Sequence, residues 1–266
     1  MDFFTGSNDI GTLALGLVMA GAVAGFVTGA IGAGAGLVLV PSLYLVLTAM
    51  GVNEDLRMHV AVGTALAAML PVSLAMIAAG PAKIDAALMK RAGVMAISGA
   101  AAGAAISAWL PGYWLTLSFA ALALAAAAFM AFVKEEWTPR TARPTQGIAA
   151  GFDLGLVATV TGMGLDRRAL RLIGRAGEEH ASVLSAAVTA TAAFIAILAG
   201  WELRGLPTRS AGYVNLLALA VVVLPMLGGA FAGRHFAAEL DAKRLRRTFA
   251  LFVVVIAAKM LWDVLG

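Results

Sequence analysis

The sequence predicts an all-α membrane protein made of two inverted repeats, each a broken-helix hairpin followed by three transmembrane helices. Composition predicts the membrane class, because 61% of the 266 residues are hydrophobic, only 13% are charged, and the mean hydropathy is +0.92. Soluble domains are about half apolar and about one quarter charged. The lengths of the apolar runs and the positions of the basic residues between them predict the repeats.

Apolar runs divide the chain into candidate spans, and most are 18 to 23 residues long. A helix needs about 20 apolar residues to cross the hydrocarbon core. The first run is too long for one span and contains a glycine-dense break, so we expect two helical limbs that meet near Gly32. The runs lie at about 10–50, 59–80, 92–109, 113–133, 147–165, 181–200, 211–233 and 248–265.

The basic residues orient the chain. Four segments hold 15 of the 19 Lys and Arg residues, and the positive-inside rule makes them cytoplasmic. The N-terminus and the segment 51–58 are then both outside, so the run 10–50 enters the membrane and returns as a hairpin. The run 147–165 likewise begins and ends on the cytoplasmic side. The four basic segments are 81–91, 134–146, 166–180 and 234–247.

Each hairpin is followed by three spans, and this odd number of crossings inverts the second half relative to the first. Sequence matches between the halves agree with that topology. We expect repeats at 1–133 and 147–266, joined by a polar cytoplasmic linker at 134–146. The matching positions are Gly25, Gly32 and Gly34 with Gly155, Gly162 and Gly164, and His59 and Thr64 with His180 and Ser185.

The first half carries a family resemblance. The stretch 29–41 reads GAIGAGAGLVLVP and is followed by AVGTA at 61–65. This glycine-rich stretch ending in proline, with a small-residue helix after it, resembles the TauE/SafE family of membrane exporters. The resemblance implies a secondary transporter that exports a small anion, of the sulfite or organosulfonate class, and is driven by the proton gradient.

The two glycine breaks are the candidate substrate site. Glycine permits a positive φ and a close approach of backbone to ligand, and a helix that starts after a break directs free N–H groups toward an anion. The alternative is close helix packing through Gly-xxx-Gly spacing, as at Gly25 and Gly29. The candidate substrate-binding residues are Thr28, Gly32, Gly34, Gly36, Thr64, Thr161, Gly162, Gly164, Ser185, Arg167 and Arg168.

The polar members of that set each have a second interpretation. The hydroxyls of Thr64 and Ser185 could donate to an oxyanion, or could bond back to a carbonyl one turn earlier. Arg167 and Arg168 could draw an anion in from the cytoplasm, or could anchor the chain at the lipid headgroups. Because the second break runs directly into these charged residues, we expect the two sides of the site to differ.

Asp153 is the one carboxylate inside the run 147–165. An acid at membrane depth is a functional hypothesis by default, so Asp153 is the proton-coupling candidate. The alternative is that it reaches water or pairs with Arg167 or Arg168. His59 and His180 each precede a helix that follows a break, which suggests either gating or an ordinary solvated position at the interface.

Other functions are disfavoured by what the sequence lacks. It has no cysteine, no HExxH, GxSxG or Walker motif, and only three scattered histidines, so we expect neither an enzyme nor a metal or other cofactor. The basic residues lie in loops rather than on a face that would bind nucleic acid. The expected partners are a small anion, the bilayer of the inner membrane with the N-terminus outside, and protons, and a homo-oligomer is compatible with the sequence. A passive anion channel and a non-transport membrane subunit are the alternatives.

Overall fold

The structure is a computed structural model that describes residues 10–32, 34–79, 93–132, 144–160, 162, 178–237 and 242–265. Within these residues the regular elements are nine α-helices and one two-stranded hairpin, so the fold is of the all-α class that composition predicts. The helices are α1 Ile10–Ile31, α2 Ala35–Ala49, α3 Glu54–Ala78, α4 Val94–Trp109, α5 Gly112–Phe132, α6 Pro144–Val160, α7 Glu178–Ala199, α8 Leu216–Phe236 and α9 Ala242–Leu265.

The helices follow the apolar runs but also include polar residues at their ends. α3 begins at Glu54 because Asn53 caps it, its side-chain oxygen accepting the N–H of Asp55 at 3.0 Å. The acidic first turn of α3 is also favoured by the positive end of the helix dipole. α6 begins at Pro144, a position where the missing N–H costs nothing.

The expected span 211–233 is wrong at its start. Two short strands, β1 Ser210–Ala211 and β2 Val214–Asn215, pair in antiparallel fashion around a turn in which Gly212 has a φ of 56°. α8 begins only at Leu216. Apolar residues that pack a hairpin against a bundle give the same hydropathy as the start of a helix, so the boundary could not be read from the sequence.

Four of the described helices contain segments that are long and apolar enough to cross a membrane. The two limbs expected from the run 10–50 are both present, but they are unequal. α1 has 22 residues, about 33 Å, whereas α2 has 15 residues, about 22 Å. α1 therefore has the length of a full span by itself. The four segments are Gly11–Ala30, Glu54–Ala78, Ser182–Ala199 and Leu216–Phe236.

Glycines bring α1 and α8 into backbone contact. A Cβ added to Gly25 would lie 2.0 Å from the carbonyl oxygen of Met226, and one added to Gly29 would lie 2.1 Å from that of Ala230. Because the contacted residues advance together along both helices, α1 and α8 run parallel. Here the Gly-xxx-Gly spacing serves close helix packing.

α4 and α6 pack in the same manner. A Cβ added to Gly99 would lie 2.0 Å from the carbonyl oxygen of Phe152, and one added to Gly155 would lie 2.1 Å from that of Ala96. These two helices also run parallel, since Gly103 contacts the backbone further along α6. α1 with α8 and α4 with α6 are the most extensive helix pairs in the described structure.

α3 lies at the centre of the bundle, where it packs against α2, α5, α7 and α8. Its side chains Met58, Ala61 and Ala65 are fully buried. Large apolar side chains point outward instead, and Leu15 and Leu224 are 61% and 74% exposed. A surface of this kind suits hydrocarbon, where small residues mediate helix packing and large ones face lipid.

Candidate functional site

The first glycine break separates α1 from α2. Gly32 has a φ of 87° and its N–H donates to the carbonyl oxygen of Thr28 at 2.8 Å, which ends α1 in a left-handed cap. Gly34 has a φ of 98° and stands immediately before α2. Two left-handed residues this close together reverse the chain, and a residue with a Cβ is strained in that conformation.

The surroundings of this break combine backbone and aromatic groups. A Cβ on Gly34 would lie 3.1 Å from Cε1 of Phe249 on α9. Gly36 is buried in the first turn of α2, where the helix directs its leading N–H groups and its positive dipole end back toward the break. Thr28 is half-buried, and its hydroxyl donates to the carbonyl oxygen of Ala24 at 2.8 Å, the back-bonded arrangement weighed above.

A basic helix end lies near this break. A Cβ on Gly29 would lie 2.9 Å from the backbone nitrogen of Arg234, which is in the last turn of α8. Gly32 is less than one turn further along the chain. The first break is therefore close to the basic end of α8, a proximity between distant residues that the sequence did not indicate.

The second break follows α6. Gly162 is buried, has a φ of 62°, and its N–H donates to the carbonyl oxygen of Thr159 at 3.1 Å. A Cβ on Gly162 would lie 2.9 Å from Cγ2 of Val40 on α2 and 3.2 Å from Cγ1 of Val62 on α3. Val40 is six residues beyond Gly34, which corresponds to about 9 Å along the axis of α2.

The structure thus brings the second break against the limb that begins at the first. Four of the sequence-predicted site residues lie outside the described part of the chain. These are Thr161, Gly164, Arg167 and Arg168.

Thr64 and Ser185 are engaged in contacts between helices and loops. Thr64 is buried, and its hydroxyl oxygen accepts the backbone N–H of Asn215 at 2.9 Å. Asn215 in turn caps α8, its side-chain oxygen accepting the N–H of Ala218 at 2.8 Å. Ser185 is half-buried and accepts the hydroxyl of Ser73 at 3.2 Å, which links α7 to α3. The two hydroxyls expected to be equivalent therefore have different partners.

Asp153 lies on an outward-facing side of α6. Its side chain is exposed, and Val157, one turn further along the same face, is 42% exposed. The opposite face of α6, with Phe152 and Gly155, packs against α4. The structure therefore separates Asp153 from the α4-facing side of its helix.

A cavity between the helices was not expected from the sequence. It contains about 320 Å³ of empty space, its open mouth included, and α3, α4, α5, α6, α7 and the hairpin all contribute to its wall. Most of the lining is small and apolar. The polar side chains that line it are His59, Ser107, Thr159 and Tyr213, and we call this space the His59 cavity. Because the carbonyl of Thr159 accepts the N–H of Gly162, the cavity adjoins the second break.

His59 is buried and joins three elements at this cavity. Its Nδ1 lies 2.8 Å from the carbonyl oxygen of Asp55 on α3, and its Nε2 lies 3.0 Å from that of Leu110 in the turn between α4 and α5. Its ring stacks on Tyr213 of the hairpin, with centroids 4.9 Å apart. The interpretation of His59 as a solvated interface residue is wrong, since both ring nitrogens have protein partners.

Tyr213 fits between α3 and α7 because both helices have glycine at that level. A Cβ on Gly63 would lie 2.7 Å from the carbonyl oxygen of Tyr213, and one on Gly200 would lie 2.6 Å from its nitrogen. Burial raises the pKa of the Tyr213 phenol above its ordinary value of 10.0, so the hydroxyl stays protonated at neutral pH. The Ala211-Gly212 pair was a usable signal for a tight turn here.

Among the described residues, no group of three or more His, Asp or Glu side chains could hold a metal ion. The polar groups of the site are backbone amides at two breaks, a few hydroxyls and one imidazole. Such groups can bind and release a small anion but offer no nucleophile paired with a base.

Comparison with known proteins agrees with this type of site. The chain matches the family model described as Sulfite exporter TauE/SafE over residues 17–260. It is similar to a protein of Haemophilus influenzae described as "Probable membrane transporter protein", with 25% identity over 267 residues, covering 94% of this chain and 98% of the relative. No solved structure matches the chain at a significant level. The chain belongs to the TauE/SafE family of sulfite exporters and is a multi-pass membrane transporter.

Proposed function

We propose that the protein is a secondary transporter that exports a small anion of the sulfite or organosulfonate class across the inner membrane. The anion binds between the two glycine breaks, and transport is coupled to protons. One observation carries this proposal: Gly32 and Gly162, 130 residues apart, both adopt a positive φ at a helix end, and Gly162 lies against α2. Broken helices of this kind are where secondary transporters bind their substrates.

The helix packing supports two inverted repeats at 1–133 and 147–266 with a linker at 134–146. The contacts of α1 with α8 and of α6 with α4 repeat at a spacing of 130 residues. Gly25 faces Met226 as Gly155 faces Ala96, and both members of the second contact are displaced by that spacing. A further contact agrees, since Gly229 faces the carbonyl oxygen of Ala22 as Gly99 faces that of Phe152.

The distribution of aromatic residues supports an outside N-terminus. Exposed tryptophans occur at the helix ends that the charge count assigns to the outer face, and basic residues occur at the opposite ends of α8 and α9. Tryptophan is enriched at membrane interfaces, whereas Lys and Arg are enriched on the cytoplasmic side. The four tryptophans are Trp109, Trp114, Trp201 and Trp262, which are 89%, 55%, 69% and 76% exposed.

The chemistry of the breaks suits an oxyanion. Backbone N–H groups at the start of α2 can donate to sulfite or sulfonate oxygens without the desolvation cost of a buried charge. Arg234 near the first break, and Arg167 and Arg168 after the second, add positive charge on the proposed cytoplasmic side. Asp153 is the proposed proton-coupling residue, since it is a carboxylate within the span α6.

The test is anion flux in proteoliposomes, comparing sulfite, organosulfonates and other oxyanions with and without a pH gradient. Flux should saturate with anion concentration and respond to the pH gradient. A passive channel would give flux that neither saturates nor depends on that gradient, and a non-transport subunit would give none.

A glycine pair separates the site from the scaffold. Gly34→Leu should abolish flux, because a side chain at φ 98° is strained and would occupy the break. Gly16→Leu is the matched control, since no atom lies within 4 Å of a Cβ at Gly16, and its flux should equal that of the wild type. Unchanged flux in a folded Gly34→Leu variant would refute binding at the break.

A further inference from the structure

We propose that His59 is a proton-dependent latch at the His59 cavity: the imidazolium holds the cavity closed, and loss of a proton opens it. This inference rests on the proposed function, because it assigns the latch to one end of the transport path. It concerns the residue that controls access to the second break, not the residues that bind the anion there.

The first step is the hydrogen-bond inventory of the ring. Both ring nitrogens face backbone carbonyl oxygens, at 2.8 Å to Asp55 and 3.0 Å to Leu110. A carbonyl oxygen only accepts, and a neutral imidazole has only one N–H. Both contacts are therefore hydrogen bonds only when the ring carries two protons. In the neutral ring, one nitrogen presents a lone pair to a carbonyl oxygen, and that contact becomes repulsive.

The second step is what the ring joins. Asp55 is on α3, Leu110 is in the turn between α4 and α5, and Tyr213 is in the hairpin before α8. Stacking on Tyr213 at 4.9 Å also favours the charged ring, since a cation within about 6 Å of an aromatic centroid is attracted to it. Protonated His59 thus ties together three elements of the cavity wall, and deprotonation weakens that tie at two of them.

The third step is the location of the cavity. His59 and Tyr213 line the same space as Thr159, whose carbonyl oxygen accepts the N–H of Gly162 at the second break. A movement of the α4–α5 turn away from α3 would therefore widen a path that leads to that break. Thr64, which is buried one to two turns below His59, keeps the hairpin attached to α3 through Asn215 while the turn moves.

No other group on the packed elements accounts for a titration near neutral pH. On α3, Asp55 contacts the ring through its backbone and its carboxylate is exposed, and Arg57 stays charged. The hairpin contributes Tyr213, whose phenol stays protonated. The described residues of the α4–α5 turn, α6 and α7 that line the cavity contribute none. Imidazole changes its charge between about pH 5 and pH 8.

The experiment measures access to the cavity with a thiol, which is clean because the chain has no cysteine. Ser107→Cys places the thiol in the cavity wall, where Ser107 is 7% exposed. Thr208→Cys is the control, since Thr208 is exposed in the loop before the hairpin. A polar maleimide is applied to the purified protein in detergent from pH 5.5 to 8.5, and the ratio of the two rates cancels the ionisation of the thiol.

The ratio should rise about three- to tenfold with pH, the effect of one hydrogen bond on an opening equilibrium. In His59→Phe, which keeps a ring against Tyr213 but removes both nitrogens, the ratio should be high at every pH. A ratio that is independent of pH in the protein with His59, or an unchanged pH dependence in His59→Phe, would refute the latch.

A second measurement needs no substitution at His59. His180→Gln with His235→Gln leaves His59 as the single histidine, and the NMR shift of its ring Cε1–H then reports its protonation. That titration should share its midpoint with the maleimide ratio, and separate midpoints would contradict the latch. Neither measurement contains an anion, so a protein that shows the latch but no flux would refute the proposed function alone.

Discussion

Gly25 lies directly against the carbonyl oxygen of Met226, and a Cβ at Gly25 would be 2.0 Å from that oxygen. Gly155 has the same relation to Ala96, at 2.1 Å. Because both neighbours are backbone, neither can move aside as the end of a flexible side chain could. A single methyl group at either glycine therefore requires the two helices of its pair to separate.

Gly25→Ala and Gly155→Ala should each lower stability, since forcing an added methyl into a packed interface costs about 1–3 kcal/mol or more. Melting followed by size-exclusion chromatography in detergent measures the effect. Gly16→Ala is the control, because its Cβ would meet no atom within 4 Å. Equal melting temperatures for Gly25→Ala and Gly16→Ala would contradict the close contact of α1 with α8.

Thr64 tests the attachment of the hairpin to α3. Thr64→Val removes the oxygen that accepts the N–H of Asn215 and leaves that buried donor without its partner, at a cost of about 1–3 kcal/mol. Thr64→Ser keeps the oxygen and should melt close to the wild type. If Thr64→Val and Thr64→Ser are equally stable, the hydrogen bond to Asn215 does not hold the hairpin in place.

Much of the architecture could be predicted because hydrocarbon imposes simple rules on sequence. A chain at membrane depth must be helical or enclosed, so apolar runs predicted the helices and the glycine cluster predicted the break at Gly32. The second break at Gly162 was predicted from its match to the first. Both glycines have the positive φ that such a break requires.

The His59 cavity could not be predicted, because its wall is assembled from contacts between residues far apart in sequence. The partner of Nε2 of His59 is a carbonyl oxygen 51 residues away, and that of the Thr64 hydroxyl is an N–H 151 residues away. Backbone groups carry no sequence signal, so neither partner could be recognised. The hairpin at Tyr213 was missed because its residues are as apolar as the helix that follows.

The orientation of the chain can be tested with single cysteines. Thr208 and Arg247 are both exposed, and the charge count assigns them to opposite faces of the membrane. In intact cells, an impermeant maleimide should label Thr208→Cys, and should label Arg247→Cys only after the membrane is permeabilised. The reverse pattern would place the N-terminus inside, and labelling of both without permeabilisation would contradict the predicted topology.

Asp153→Asn tests proton coupling. The substitution should remove the stimulation of flux by a pH gradient while leaving exchange down an anion gradient intact, because the amide cannot carry a proton across. Asp263→Asn is the control, since Asp263 pairs with Lys259 at the end of α9 and should matter to neither flux. Stimulation that survives in Asp153→Asn would exclude Asp153 as the coupling residue.

The contact between Gly162 and Val40 can be measured with a double-mutant cycle. Gly162→Ala should cost about 1–2 kcal/mol from the positive φ alone, and more from the contact with Cγ2 of Val40 at 2.9 Å. Val40→Ala removes that atom, so the double variant should be more stable than the sum of the single effects by about 0.5–3 kcal/mol. Val38→Ala, also buried in α2, is the control and should combine additively with Gly162→Ala. Additivity with Val40 as well would mean that the second break does not contact α2, and binding between the two breaks would lose its geometric basis.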